Sequence, residues 1–83
     1  MISENLITER GVSAGDEWIT VPASQVHEAL AALKDDGYLL LVFLTCVDHL
    51  ADGSRDWPAR YELVYQLRDM EKLRDIRVRA FID

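Results

Sequence analysis

The stretch Tyr38–Leu50, which reads YLLLVFLTCVDHL, determines the expected fold of this chain. Its unbroken apolar part, Leu39–Leu44, is too short to cross a membrane, which takes about 20 apolar residues. It is rich in aromatic and β-branched residues and follows a glycine, which favours a strand over a helix. Because a strand without polar alternation is typically buried on both faces, we expect this strand to lie centrally in its sheet.

Length and composition indicate one small domain, residues 1–83, in which residues 1–16 are expected to be the least ordered. The net charge of −6 argues against nucleic acid or an anionic membrane as a partner, because both require a concentrated basic surface. A single cysteine excludes an internal disulfide and favours a reducing compartment. The N-terminus has no apolar core of signal-peptide length.

An amphipathic helix is predicted before the apolar strand. Across Ala23–Asp36 the apolar residues are spaced i, i+3, i+4 and i+7, and they are Val26, Ala29, Leu30 and Leu33. Pro22 suits the start of this helix, and Gly37 suits its C-terminal cap. We expect the apolar stripe to pack on the sheet face that includes part of Tyr38–Val47.

Three further segments read as strands. Glu17–Val21 consists mostly of strand formers, whereas Arg60–Arg68 and Arg74–Ile82 alternate apolar and polar residues. The short link Asp69–Leu73 joins the last two segments, so they should form an antiparallel hairpin. The N-terminal segment Met1–Gly11 is compatible with a short helix.

Together these elements predict an α+β fold, a two-layer sandwich with one main helix on a four-stranded mixed sheet. If the sheet has one core face, odd-numbered residues of one hairpin strand must oppose even-numbered residues of the other. Two registers satisfy this parity. We expect the one that places Glu62 opposite Arg79, in preference to the one that places Gln66 opposite Arg77, because it pairs opposite charges on the polar face.

Three polar residues follow the apolar strand, namely Asp48, His49 and Asp52. A histidine with carboxylates is a combination that binds metals, but no ligand from another element is evident. The favoured interpretation is a polar strand end followed by a turn. His27 is interpreted as a solvent-facing helix residue, and Cys46 as a small buried hydrophobe.

The chain lacks the motifs of common catalytic and cofactor sites, such as a glycine-rich phosphate loop, Gly-x-Ser-x-Gly, Cys-x-x-Cys and His-Glu-x-x-His. One cysteine cannot hold an iron–sulfur cluster. We therefore expect no catalytic residue, no cofactor and no bound metal. Trp57 lies in the loop Ala51–Ala59, and it is interpreted either as an interface anchor or, preferably, as a side chain folded over the small core.

Four stretches, taken in order, resemble the N-terminal region of one hydrophilic-arm component, designated C, of bacterial NADH:quinone oxidoreductase (respiratory complex I). They are WITVPA at 18–23 with the following helix, LTCVD at 44–48, YELVYQL at 61–67 and RDIRVR at 74–79. Order and spacing match from about Glu17 to Ile82. The sequence departs from the family in having Gln66 where a histidine is frequent, and in lacking the Glu-Arg-Glu-x-x-Asp signature that holds much of the contact with neighbouring subunits.

The resemblance implies a non-catalytic structural or assembly subunit, or an excised N-terminal domain of it, in the hydrophilic arm of complex I. It implies as partners the subunits that hold the quinone pocket and the terminal iron–sulfur cluster, with no nucleic acid and no direct membrane insertion. It also implies a cytoplasmic location, peripheral on the inner membrane through the complex, and a supporting role in electron transfer from NADH to quinone.

Two alternatives stay open. One is the corresponding subunit of a membrane-bound hydrogenase, and the other is a stand-alone ligand-binding or enzymatic domain that uses the polar residues after the apolar strand. The candidate interface residues are Trp57, Tyr61, Tyr65, Asp48 and His49. A flat apolar patch or an open sheet edge would favour the interface, whereas a pocket lined by the polar residues would favour the stand-alone domain.

Overall fold

The computed structural model describes residues 4–13, 15–49 and 59–82. One helix and a five-stranded sheet form the two layers of the predicted α+β fold. The elements are β1 (Glu9–Ser13), β2 (Asp16–Thr20), α1 (Val26–Asp35), β3 (Leu40–Asp48), β4 (Tyr61–Asp69) and β5 (Arg74–Ile82). The sheet order is β1-β2-β5-β4-β3, in which β2 and β5 run parallel and the other neighbours antiparallel. Short 3₁₀ helices, Glu4–Leu6 and Ala23–Gln25, precede β1 and α1.

The N-terminal segment differs from its prediction. The only helical part described there is one 3₁₀ turn, and Glu9–Ser13 forms a fifth strand that pairs with β2. Gly11 explains why a strand is favoured, since the ring of its partner Trp18 occupies the space beside it. A Cβ on Gly11 would lie 2.5 Å from that ring. The predicted helix is therefore wrong beyond its first turn, and the sheet has five strands instead of four.

Helix α1 buries the predicted apolar stripe, but against other strands than expected. Ala29 and Leu33 are buried, and Val26 and Leu30 are partly buried against the same core. The remaining core residues lie mainly on β2 and β5, and they are Ile19, Val21, Tyr38, Leu67, Ile76, Val78 and Ala80. The stripe is confirmed. The sheet surface it covers was wrongly predicted, because Tyr38 is the only residue of the apolar stretch in this core cluster.

The C-terminus of α1 ends in a Schellman motif. The N–H of Tyr38 donates to the carbonyl of Leu33 at 3.0 Å, and the N–H of Gly37 donates to that of Lys34 at 3.1 Å. Gly37 has a φ of 105°, which favours glycine. Arg74 donates to the carbonyl of Asp36 at 3.0 Å, so a cation from β5 lies at the negative end of the helix dipole.

The β4–β5 hairpin has the predicted parity but not the preferred register. Gln66 lies opposite Arg77, whereas the preferred pairing of Glu62 with Arg79 is wrong. The observed register also places Arg68 opposite Asp75 and Asp69 opposite Arg74, with ion-pair distances of 2.6 and 3.2 Å. It therefore forms two opposite-charge pairs, whereas the preferred register was favoured for one.

Asp69 also fixes the turn of this hairpin. Its Oδ1 accepts the N–H of Lys72 at 3.1 Å and that of Glu71 at 3.0 Å, and its Oδ2 accepts from Arg74. The hydrogen bond from Lys72, followed by those from Arg74 and Glu71, lowers the pKa of Asp69 against the opposing effect of burial. A charged Asp69 therefore stabilises the turn.

Strand β3 lies at the edge of the sheet, which corrects the prediction that it is central. Its one neighbour among the described strands is β4, and all nine of its residues are exposed. The pairing with β4 shifts between Leu41 and Phe43, which marks a β-bulge at Val42. An apolar run identifies a strand that is apolar on both faces, and here that strand has a partner on one side only.

Candidate protein-interaction surface

Exposed apolar side chains are concentrated in one segment, Leu39–Asp48, which we call the β3 edge. Its large exposed hydrophobics are Leu39, Leu40, Leu41, Val42, Phe43, Leu44 and Val47, with exposed fractions from 38% to 74%. The other such residues of the described ranges, Val12, Met70, Leu73 and Ile82, are scattered. A contiguous exposed apolar surface of this kind marks a site of protein interaction.

The β3 edge is apolar on both faces of the sheet. Residues directly opposite each other on paired strands share a face, so the partners on β4 assign each β3 side chain to a face. Leu41, Leu44 and Cys46 lie on the side that carries α1, opposite Leu67, Tyr65 and Leu63. Leu40, Phe43, Thr45 and Val47 lie on the other side, opposite Arg68, Gln66, Val64 and Glu62. A strand added at this edge would therefore meet apolar neighbours on both of its faces.

Two predicted interface residues, Tyr61 and Tyr65, flank this edge on β4. Both are half-buried and point to the helix side, where Tyr65 packs partly against the core. Arg60 stacks over the ring of Tyr61, with its guanidinium carbon 4.9 Å from the ring centre. Because α1 covers mainly β2 and β5, these rings extend the apolar surface from β3 onto β4.

Asp48 ends the β3 edge with a charge. Its carboxylate accepts two hydrogen bonds from Arg60, at 3.2 and 3.1 Å, and both side chains are about half exposed. The hydrogen bond to Asp48 raises the pKa of Arg60. An exposed pair of this kind contributes little stability, roughly 0–1 kcal/mol, so its main effect is to mark where the apolar surface stops.

His49 lies on the opposite side of the sheet from Asp48, within a buried polar cluster. Its Nε2 is 2.8 Å from Oε1 of Glu62, whose side chain is 9% exposed. Oε2 of Glu62 is 3.6 Å from Arg79, which also donates to Thr20 at 3.2 Å and stacks over Trp18 at 4.3 Å. Residue patterns did not indicate this cluster, because alternation assigned Glu62 and Arg79 to a solvent face.

The structure does not bring the candidate metal ligands together. Asp48 and His49 diverge to the two sides of the sheet, and Asp52 lies outside the described residues, as does Trp57. Within 4–13, 15–49 and 59–82 no group of three or more His, Cys, Asp and Glu side chains is placed to hold a metal ion. Cys46 is exposed, which corrects its interpretation as a buried hydrophobe, and His27 is exposed as predicted.

In the part of the chain that the structure describes, no helix is long and apolar enough to cross a membrane. This finding agrees with the short length of the apolar run in Leu39–Leu44.

Comparison with known proteins identifies the family. The family model for the 30 Kd subunit of the respiratory-chain NADH dehydrogenase matches residues 19–83. A solved structure described as Nqo5 of the trypsin-resistant fragment (1-134) is similar in fold, with a TM-score of 0.81 and 21% sequence identity. The similarity covers 89% of this chain but only 60% of that chain. No curated protein sequence matches. Because the family model covers well over half of the sequence, the chain belongs to the family of the 30 kDa subunit of the respiratory-chain NADH dehydrogenase.

Proposed function

We propose that the chain is a non-catalytic structural and assembly subunit, or the N-terminal domain of one, in the hydrophilic arm of NADH:quinone oxidoreductase. It holds neighbouring subunits in place and in this way supports electron transfer from NADH to quinone, with no cofactor of its own. Its proposed neighbours are the subunits that hold the quinone pocket and the terminal iron–sulfur cluster. Through the complex it lies at the cytoplasmic face of the inner membrane.

The β3 edge is the observation that carries this proposal. A domain that works alone usually protects a sheet edge with charges, prolines or a short strand. The β3 edge has a nine-residue strand whose only charge is the terminal Asp48, and its apolar surface continues onto Tyr61 and Tyr65. Permanent interfaces between subunits are more apolar than transient ones, and this surface has that character.

The polar residues after β3 do not support the stand-alone enzyme or ligand-binding domain. Asp48 pairs with Arg60 on one side of the sheet and His49 pairs with Glu62 on the other, so no pocket converges on both. The family match favours the NADH dehydrogenase over the corresponding subunit of a membrane-bound hydrogenase. The absence of a metal and of a catalytic residue stays a prediction.

Assembly of the complex in cells that carry a variant subunit tests the proposal. Leu44 is 55% exposed on the helix side of β3, so Leu44→Asp should leave the chain folded while it places a charge in the interface. We expect the amount of assembled complex, measured on native gels, to fall at least about tenfold. Val12→Asp is the matched control, because Val12 is exposed on the other edge strand.

The two variants separate docking from a general loss of stability. Circular dichroism and thermal melting of both purified chains should show a fold like that of the parent. Normal assembly with Leu44→Asp, or equal loss with Val12→Asp, would rule out the β3 edge as the docking surface.

A further inference from the structure

We propose that the free chain forms a symmetric dimer in which β3 pairs antiparallel with β3 of a second copy. The two sheets then join into one continuous sheet through the edge that the described strands leave open. This inference concerns the chain before it meets other subunits, so it goes beyond docking within the complex.

The chemistry of the β3 edge suits a second copy of the same strand. From Leu39 to Val47 there is no charged residue and no proline, so two copies oppose no like charges and lack no backbone donor there. The first charge, Asp48, lies at the end of the strand, where antiparallel pairing keeps the two carboxylates far apart. The β3 edge is thus complementary to itself, as a two-fold interface requires.

Symmetry and the bulge at Val42 together select a register. The two-fold axis is perpendicular to the sheet, so both copies of α1 lie on the same side. Directly opposed residues share a face, so the axis must pass through a residue and not between two. The regular part of β3 after the bulge is Phe43–Asp48, and the axis must lie within it to avoid pairing across the bulge.

An axis through Thr45 satisfies these conditions. It pairs Thr45 with itself, Phe43 with Val47 and Leu44 with Cys46, and threonine–threonine and aromatic–β-branched pairs are favourable across strands. An axis through Cys46 would place Leu44 opposite Asp48, which buries a carboxylate against an apolar side chain. We therefore place Thr45 on the axis.

The dimer is expected to be weak and reversible. A single pair of strands buries less than the roughly 1,200 Å² of a standard interface. The net charge of −6 on each copy opposes association, although salt at about 0.15 M screens charges more than about 8 Å apart. Weak pairing lets the chain exchange its second copy for another subunit.

Light scattering after size-exclusion chromatography of the full chain tests the dimer. In about 0.15 M salt, the mass should rise from 9.5 kDa towards twice that value as concentration increases. Thr45→Lys places two like charges opposite each other on the axis and should raise the dissociation constant at least about tenfold. Val12→Lys, on the other edge, should leave it unchanged. A mass that stays monomeric, or a dimer that Thr45→Lys does not weaken, overturns the inference.

Cross-linking tests the register independently of affinity. In a Cys46→Ser background, Thr45→Cys places two sulfur atoms directly opposite each other, on Cβ atoms about 4.5–5.5 Å apart. Val47→Cys in the same background places them four residues apart along the strands, roughly 14 Å. A short bismaleimide should link the first variant and not the second. Equal linking of both, or linking of Val47→Cys alone, overturns this register.

These results are separable from the proposed function. A chain that is always monomeric but whose Leu44→Asp variant fails to assemble overturns the dimer and supports docking. A dimer with the predicted cross-link, together with normal assembly of Leu44→Asp, supports the dimer and contradicts docking through this edge.

Discussion

The two edge strands of the sheet, β1 and β3, differ in length and in chemistry. β1 has five residues, of which Glu9 and Arg10 are charged, and Gly11 lies against the ring of Trp18. β3 has nine residues, and its one charge is the terminal Asp48. Natural sheets protect their open edges with short strands and charges, as β1 does. The comparison indicates that β1 is built to end the sheet and β3 is built to be joined.

The largest expected effect compares the core under α1 with the β3 edge. Leu33 is 2% exposed within the core cluster, and Leu33→Ala should lower the free energy of unfolding by about 2–5 kcal/mol. Leu30→Ala should cost less, since Leu30 is only partly buried. Urea unfolding measures both. An equal loss for Leu44→Ala would show that the β3 edge belongs to the core and would break the comparison.

The second effect tests how β1 closes its edge. A Cβ on Gly11 would meet the ring of Trp18 at 2.5 Å, so Gly11→Ala should push the ring away from Arg79. We expect a loss of about 1–3 kcal/mol in the free energy of unfolding, as for overpacked sites. Trp fluorescence should change with it. An unaltered emission spectrum together with parental stability would mean that the ring does not depend on Gly11.

The third effect concerns acid sensitivity in the hairpin that joins the two halves of the sheet. The pKa of Asp69 is lowered first by the N–H of Lys72, and that of Asp75 first by the hydrogen bond from Arg68. A lowered pKa in the folded state stabilises the chain above the unfolded value of about 3.9, and this stabilisation is lost as pH falls through the folded values.

Stability should therefore decrease as pH falls below about 4, and Asp69→Asn should reduce the slope. Thermal melting between pH 5 and pH 2 is the measurement, at about the range where Asp titrates. A variant with the same slope as the parent would show that Asp69 is not a source of the acid sensitivity.

The smallest effect is expected at the β3 edge itself. Leu44→Ala removes a side chain that is 55% exposed, so the free energy of unfolding of the monomer should change by no more than about 0.5 kcal/mol. The same change should weaken association, because Leu44 faces the partner strand. Measurement at low concentration, where the monomer dominates, separates the two. A loss above about 2 kcal/mol, a value typical of buried leucines, would contradict the assignment of Leu44 to the surface.

Sequence patterns predict the local elements more reliably than their neighbours. The stripe Val26–Leu33 and the parity of β4 and β5 follow from periodicity, because a helix or strand with one buried face repeats in a fixed way. The position of β3 does not follow, because an apolar run satisfies burial inside a sheet and burial against a partner equally well.

The same limit applies to the candidate site. Asp48, His49, Tyr61 and Tyr65 are predicted interface residues, and the structure places them around one end and one flank of the β3 edge. The centre of the surface, Leu39–Val47, is the part that its apolar character assigned to the interior. The register of the hairpin was wrongly predicted because one opposite-charge pair was weighed and the two pairs next to the turn were not.

The contact between Arg74 and the carbonyl of Asp36 joins residues 38 positions apart in the chain. The same guanidinium bonds to Asp69 and lies 4.7 Å from the ring centre of Tyr38. The end of α1 and the tip of the hairpin are therefore fastened by one side chain, and neither can open without loosening the other. In hydrogen exchange the amides of Tyr38 and Lys72 should exchange at a common rate, as members of one cooperative unit. This unit lies at the end of the sheet where β3 begins, and it fixes the direction in which the open edge is presented.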